Sequence, residues 1–143
     1  MTASLGLADN DQIAQEQAAL RRVATLAARV APPGQVLTAV TGQAGRLLGA
    51  DHATMGRYSP DAPIRVLATW GNADVAIPVG ARHKLGGQDL HTMIFQTRRP
   101  ARIDDSAGLS GDSAQFHRKF GIRAGVGVPG TRPSWPTAAC ARP

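Results

Sequence analysis

His52-Ala53-Thr54-Met55-Gly56-Arg57-Tyr58 and Ile64-Arg65-Val66-Leu67-Ala68-Thr69-Trp70 flank the segment Ser59-Pro60-Asp61-Ala62-Pro63. Both flanking runs are short and carry β-branched and aromatic residues, the composition of strands. The two prolines between them cannot serve a continued ladder, so the segment is a turn and the runs form an antiparallel pair. That pair places a sheet at the centre of the chain.

On the N-terminal side the sequence is helical. From Asp9 to Val30 good helix formers dominate, with Ile13, Leu20 and Ala27 seven apart and Val23 and Val30 in the other seam position, a short amphipathic helix of heptad character. Pro32-Pro33-Gly34 breaks it. A second helix follows, in which Val36, Val40, Ala44 and Leu48 are spaced by four, Leu37 and Leu47 widen the stripe, and Gly49 is the terminator. Gly42 and Gly45 each cost roughly 1 kcal/mol against alanine, so tertiary packing must hold this helix.

On the C-terminal side, Ile77 to Leu85 reads as a short extended piece, and Leu90, Met93 and Ile94 give a helix that starts after Gly86-Gly87 and ends near Thr97. Ala101-Arg102-Ile103 is a minimal strand stopped by Asp104-Asp105. Asp112 with Gln115 resembles a capping box for a helix that carries Phe116 and Phe120 and closes at Gly121. Ile122 to Val128 is a further strand. Helix, helix, strand, strand, helix, strand, helix, strand predicts an α+β class with a mainly antiparallel sheet.

At 143 residues the chain holds at most one ordinary domain, and 43% hydrophobic content with only 4% aromatic predicts a modest core. Sixteen Lys+Arg against ten Asp+Glu leave a charge of +6, almost all of it arginine, because Lys84 and Lys119 are the only lysines. The basic residues come as doublets, Arg21-Arg22 and Arg98-Arg99, with no interleaved aromatics of the kind single-strand readers need, so a solvated surface is the reading and neither nucleic acid nor membrane is an expected partner. Cys140 is the single cysteine, which rules out an intrachain disulfide. Met1 to Gln12 carries no basic region and no apolar run of a leader, and the expectation is a cytoplasmic chain.

Several stretches resemble GAF domains from the N-terminus of actinobacterial-type sensor histidine kinases and related signalling regulators. They are Glu16 to Ala24, Gly45-Arg46-Leu47-Leu48-Gly49-Ala50-Asp51, Leu85-Gly86-Gly87, Thr97 to Asp105, and Gly121-Ile122-Arg123 followed by Gly125 to Pro129. The resemblance implies a GAF-like, mainly antiparallel sheet with packed helices and a pocket on one face, where relatives hold cyclic nucleotides, haem, bilins or other small molecules. It implies a sensory role in two-component signalling and no catalysis by the module itself, and it identifies no ligand. The expected organisation is an N-terminal signalling or dimerising helix over residues 1–31, a partial GAF domain over 32–129, and a tail over 130–143.

The tail departs from the pattern. Such domains continue with an apolar strand, a glycine turn and an inner strand. Here the chain reads Gly130-Thr131-Arg132-Pro133-Ser134-Trp135-Pro136-Thr137-Ala138-Ala139-Cys140-Ala141-Arg142-Pro143, with three prolines and no alternation. The expectation is a sheet missing its last core strands and a disordered tail. Reading the codons one frame over permits Val-Ala-Asp-Gly-Arg-Leu in this region, the hairpin the family expects, which points to a frameshift near residue 130 and a truncated kinase-type protein.

No catalytic constellation is present. Gly125-Val126-Gly127-Val128-Pro129-Gly130 matches a dinucleotide fingerprint in letters only, since prolines and no helix follow it. Asp104 and Asp105 are adjacent, and neighbouring strand residues face opposite ways, so they end a strand and do not pair for acid–base work. His52, His83, His91 and His117 show no metal-ligand spacing; in a haem-type relative one axial ligand suffices, which leaves His83 or His91. The pocket candidates are Met55, Tyr58, Trp70, Met93, Phe95 and Val126, with Trp70 placed at the cavity mouth. The expected partners are a small-molecule ligand and a second copy of the chain, through Ile13, Leu20, Val23, Ala27 and Val30.

Overall fold

In the computed structural model, which describes residues 2–59, 61–72, 77–110, 112–130 and 137–142, helices α1 (Thr2–Ala28) and α2 (Pro33–Leu47) precede strands β1 (His52–Ser59), β2 (Ala62–Gly71) and β3 (Arg82–His83). Then come α3 (Leu90–Thr97), β4 (Ala101–Ile103), a 3-10 turn at Ser106–Gly108, α4 (Asp112–Lys119), β5 (Ala124–Val128) and β6 (Thr137–Arg142). The six strands form one sheet in the order β3-β2-β1-β6-β5-β4, with every neighbouring pair antiparallel. The α+β class with an antiparallel sheet and packed helices is the one the sequence predicts.

The strand β6 corrects the expectation of a sheet missing its last core strands and of a disordered tail. Thr137–Arg142 fills the inner position, with Ala53 opposite Cys140 on one side and Val126 opposite Cys140 on the other. Pro136 and Pro143 bracket these six residues, so no proline falls within the ladder. The strand carries no alternation to announce it, and its place in the sheet comes from backbone pairing with β1 and β5 on its two sides. Residues 131–136 lie outside the described residues.

The two faces of the sheet are covered differently. A Cβ built at Gly45 of α2 would meet both Trp70 and Ala53, so α2 lies on the face to which Ala53 and Trp70 point. Strand alternation sends His52, Thr54 and Tyr58 to the opposite face. There Tyr58 meets α3 through a hydrogen bond from its hydroxyl to the carbonyl of His91, 2.8 Å long. The apolar core on that side joins Val66, Ile77 and Ile122, with Ala81, Phe116 and Phe120 against them. The helix α1 packs on α2.

Val30 does not extend the α1 seam as expected. The helix ends at Ala28, and Val30 takes a left-handed backbone with φ 55° and stands 91% exposed. The chain must turn there to reach Pro32-Pro33. Ile13 and Leu20 are exposed on α1 and Val23 is half-buried.

Candidate functional site

Four histidines from four separate elements lie on the α3/α4 side of the sheet or beside it: His52 in β1, His83 in β3, His91 in α3 and His117 in α4. Three of them gather around Asp89, which is 2% exposed. Asp89 is the N-cap of α3, and its Oδ1 accepts the backbone N–H of Thr92 at 2.9 Å. Its Oδ2 accepts the Thr92 hydroxyl at 3.0 Å. That hydroxyl in turn accepts the N–H of Gly86 at 2.8 Å. Gly86 has φ 136°, a conformation that favours glycine, and this lets the β3–α3 loop fold back onto the helix start.

The imidazole of His83 stands with Nε2 3.3 Å from Asp89 Oδ2, close enough for an ionic contact although not aligned as a hydrogen bond. Its ring lies 4.5 Å from that of Phe116 and 5.7 Å from that of His91, centre to centre, and so ties β3 to both α4 and α3. Among the described residues, His91 Nδ1, His117 Nδ1, both ring nitrogens of His52 and the hydroxyl of Thr69 are buried without a hydrogen-bond partner. Thr69 sits opposite Thr54 in the ladder, next to the His52 to Gly71 pair, which puts this second polar group on the same sheet face.

Burial sets the charge state. It pulls His91 down to about 4, helped by the nearby His83 and His117 and opposed by Asp89. Burial also lowers His117, against the attraction of Asp89 and with the help of His83, and it lowers His52 against the pull of Asp51. These three rings are therefore neutral at pH 7, each with one N–H donor and one lone pair. Neutral imidazoles can hydrogen-bond a polar group without repelling either sign of charge.

The arrangement does not form a nucleophilic triad. Among the described residues the hydroxyl seen on Asp89 is that of Thr92, and it is already engaged with both Asp89 and Gly86. Among the described residues no three His, Cys, Asp or Glu side chains converge to hold a metal ion. Haem also fits poorly here, because His83 turns Nε2 to Asp89 and packs its ring beside Phe116, and His91, half-buried, has its Nδ1 covered.

The six pocket candidates separate. Tyr58 and Phe95 come together, with ring centres 5.2 Å apart, beside His91. Met93 is half-buried on α3 and Val126 is exposed on β5. Met55 is buried in β1, and alternation puts it on the α2 face. Trp70 does not stand at a cavity mouth: its ring packs over Gly42 and Gly45 of α2, with the guanidinium of Arg46 5.2 Å from the ring centre. Two glycines three apart leave a groove that only a flat aromatic fills so closely. Asp89 and Thr92 were not among the candidates, although an aspartate three residues before a threonine at a helix start is a legible capping signal.

No family model matches this sequence, and no curated protein matches it. Solved structures do. The chain is similar to the phycocyanobilin-bound GAF domain from a cyanobacterial phytochrome, at 17% identity and a TM-score of 0.67, over 90% of this chain and 79% of that one. It is similar to the GAF domain of a phosphoenolpyruvate-protein phosphotransferase from Coxiella burnetii, at 18% identity and a TM-score of 0.61, over 87% of this chain and 77% of that one. It is also similar to the GAF domain of a protein described as a sensor histidine kinase from Pseudomonas syringae pv. tomato, at 13% identity and a TM-score of 0.57, over 99% and 76%. At such identities the likeness shows the fold, which is that of a GAF domain.

Proposed function

We propose that this chain is the small-molecule-sensing module of a bacterial signal-transduction protein of the histidine kinase type, with its ligand held on the sheet face beneath α3 and α4. One observation carries the reading. The side chains of His52, Thr69, His91 and His117 bury polar atoms on or beside that face without a partner among the described residues. Each such atom costs about 1–3 kcal/mol when left unpaired, a cost that a polar ligand removes. The bound tetrapyrrole of the phytochrome domain and the kinase context of the Pseudomonas protein support a sensory role on this fold. No catalytic step by the chain itself belongs to the reading, and a cytoplasmic location accompanies it. Among the described residues no helix is long and apolar enough to cross a membrane.

The test is a thermal-shift and calorimetric screen with phycocyanobilin, haemin, cyclic AMP and cyclic GMP. At least one should raise the melting temperature of the parent and fail to do so in a His91→Ala/His117→Ala variant. Absence of any shift across such a panel would sink the ligand reading.

A second reading, a dimerising interaction module, has its own observation. Ile13 and Leu20 are 51% and 69% exposed on α1. Leu20 rims an apolar groove of about 350 Å³ between α1 and α2, lined also by Ala19, Val23, Val40, Ala44 and Leu47. With Ala27 exposed further along the helix, this stripe would pair with a second copy. Light scattering on the parent and on Leu20→Glu decides it: a dimer that the variant loses supports the reading, and a monomeric parent removes it.

A further inference from the structure

Three of the sixteen basic residues of the chain, Arg57, Arg65 and Arg82, stand in one row that neither reading above uses. Arg57 is the ladder partner of Arg65 across β1 and β2, and Arg65 is the partner of Arg82 across β2 and β3. Residues directly opposite one another share a face of the sheet. Here Tyr58, Ile64, Val66 and His83, the neighbours in sequence, are buried, whereas all three arginines are exposed. The row therefore stands on the outer face, the one α2 covers further along at Ala53 and Trp70. The ion pairs among the described residues are His83 with Asp89 and Arg102 with Asp104, and none involves the row.

Like charges directly opposite each other destabilise a sheet, and this ladder places two such pairs in succession. A local rule broken twice, with no ion pair among the described residues to offset it, marks a surface kept for a partner. The partner must bring negative charge, and the spacing selects its form. Neighbouring strands lie about 4.8 Å apart, so the ends of the row are roughly 10 Å apart. A helix with carboxylates at i, i+4 and i+7 offers neighbours about 5–6 Å apart and ends about 10.5 Å apart. Same-face residues of an extended strand repeat every ~6.7 Å and overshoot the row by about 4 Å.

We propose that Arg57, Arg65 and Arg82 form a docking surface for an acidic helix of a partner protein, one that carries carboxylates at i, i+3 or i+4, and i+7. Each guanidinium takes one carboxylate through charge-assisted hydrogen bonds, with Arg65 at the centre of the row. A second copy of the chain is the occupant to be separated from this one, because Asp9 and Glu16 lie seven apart on α1 and both are exposed.

The experiment is fluorescence anisotropy on the full chain with a labelled alanine-rich helical peptide bearing glutamates at i, i+4 and i+7. An isomer with the same three glutamates spread around the helix is the control. The first peptide should bind several-fold more tightly than the isomer, and more weakly as salt rises from about 50 to 200 mM. Arg65→Gln should lose about tenfold in affinity, and Arg102→Gln, outside the row, nothing. Arg65→Gln should melt no lower than the parent, since it relieves two repulsions, which separates lost binding from lost folding. Equal affinity for the two peptides, or full affinity in Arg65→Gln, overturns the proposal. So does binding of duplex DNA or phosphatidylserine vesicles that Arg65→Gln abolishes while the peptides remain undistinguished, which assigns the row to a polyanion. Self-association lost in Arg65→Gln and in Asp9→Lys/Glu16→Lys alike, with no peptide binding, overturns it in favour of a second copy.

Discussion

Gly45→Ala should destabilise the protein although it replaces a glycine inside a helix by the best helix former. A Cβ at this position would stand 2.4 Å from Cε3 and 2.5 Å from Cζ3 of Trp70, where ordinary contacts begin at 3.4 Å, so the ring must yield about 1 Å. The ring has little room to yield, with Ala53 Cβ 3.2 Å from the new methyl and Arg46 stacked on its face. Overpacking of this severity lies at the upper end of the usual 1–3 kcal/mol, and the gain in propensity returns about 1 kcal/mol, for a net loss of about 2 kcal/mol. In a chain of 143 residues that lowers the melting temperature by roughly 6 °C. Gly42→Ala should be nearly neutral, because its Cβ would meet Trp70 Cδ1 at 3.0 Å and the flexible Arg46 Nη1 at 3.3 Å. Circular dichroism melts and urea titrations of Gly45→Ala, Trp70→Leu and the double variant give the coupling between the two sites, which should exceed about 0.5 kcal/mol. A Gly45→Ala variant that melts higher than the parent, as propensity alone requires, would refute the placement of Trp70 on α2 and return it to the ligand face.

Asp89→Ala removes the α3 cap, the acceptor of the Thr92 hydroxyl and the ionic contact of His83, and should cost about 2–4 kcal/mol by denaturant unfolding; a loss below about 1 kcal/mol would mean the cluster is solvated. His91 titrates near 4 in the fold against 6.5 unfolded, so the unfolded chain takes up its proton first as pH falls. Stability should therefore be full above about pH 6.5 and decline toward pH 4, by on the order of 3 kcal/mol for this group, with His117 and His52 acting in the same direction. Urea midpoints at several pH values should show a shallower decline in His91→Gln, and an unchanged slope would contradict the burial of this ring. Val30→Gly should stabilise by about 1 kcal/mol, because Val30 is a β-branched residue at φ 55° and 91% exposed, so relief of strain loses no packing.

Those elements whose signals are local were legible in the sequence. Leu90, Met93 and Ile94 between Gly86-Gly87 and Pro100 leave one place for α3, which runs Leu90–Thr97, and Ala101–Ile103 follows as the strand expected. The Pro32-Pro33 break likewise set the start of α2. The strand β6 lacked any local signal. Its residues, small from Thr137 to Ala141, do not alternate, and what makes them a strand is pairing with β1, far away in the chain, and with β5. Inner strands of this kind are defined by neighbours on both sides, so a rule built on alternation and proline content reads them as tail. The extended piece expected over Ile77 to Leu85 contains only the two-residue β3, because its ladder needs just Ile64 and Arg65.

The candidate site was least legible for the same physical reason. His83 and His91 are eight apart and His117 lies far beyond, a spacing that matches no metal-ligand motif, and His52 belongs to a strand earlier in the chain. His83, His91 and His117 meet only because the sheet order sets β3 beside β2 while α3 and α4 fold across the face they share. Large apolar residues, the usual walls of a pocket, include Tyr58 and Phe95, which do pair, together with Trp70 and Met55, which serve the opposite face. Alternation alone would have separated them, since Met55 and Tyr58 are three apart in one strand and cannot share a side of it. The same parity links His52, Thr54 and Tyr58, so a wall made of polar groups could have been drawn from β1 before any tertiary contact was known. What parity could not supply is Asp89, the buried carboxylate on which the imidazoles converge: its role comes from capping a helix whose N-terminus the fold happens to aim at β3.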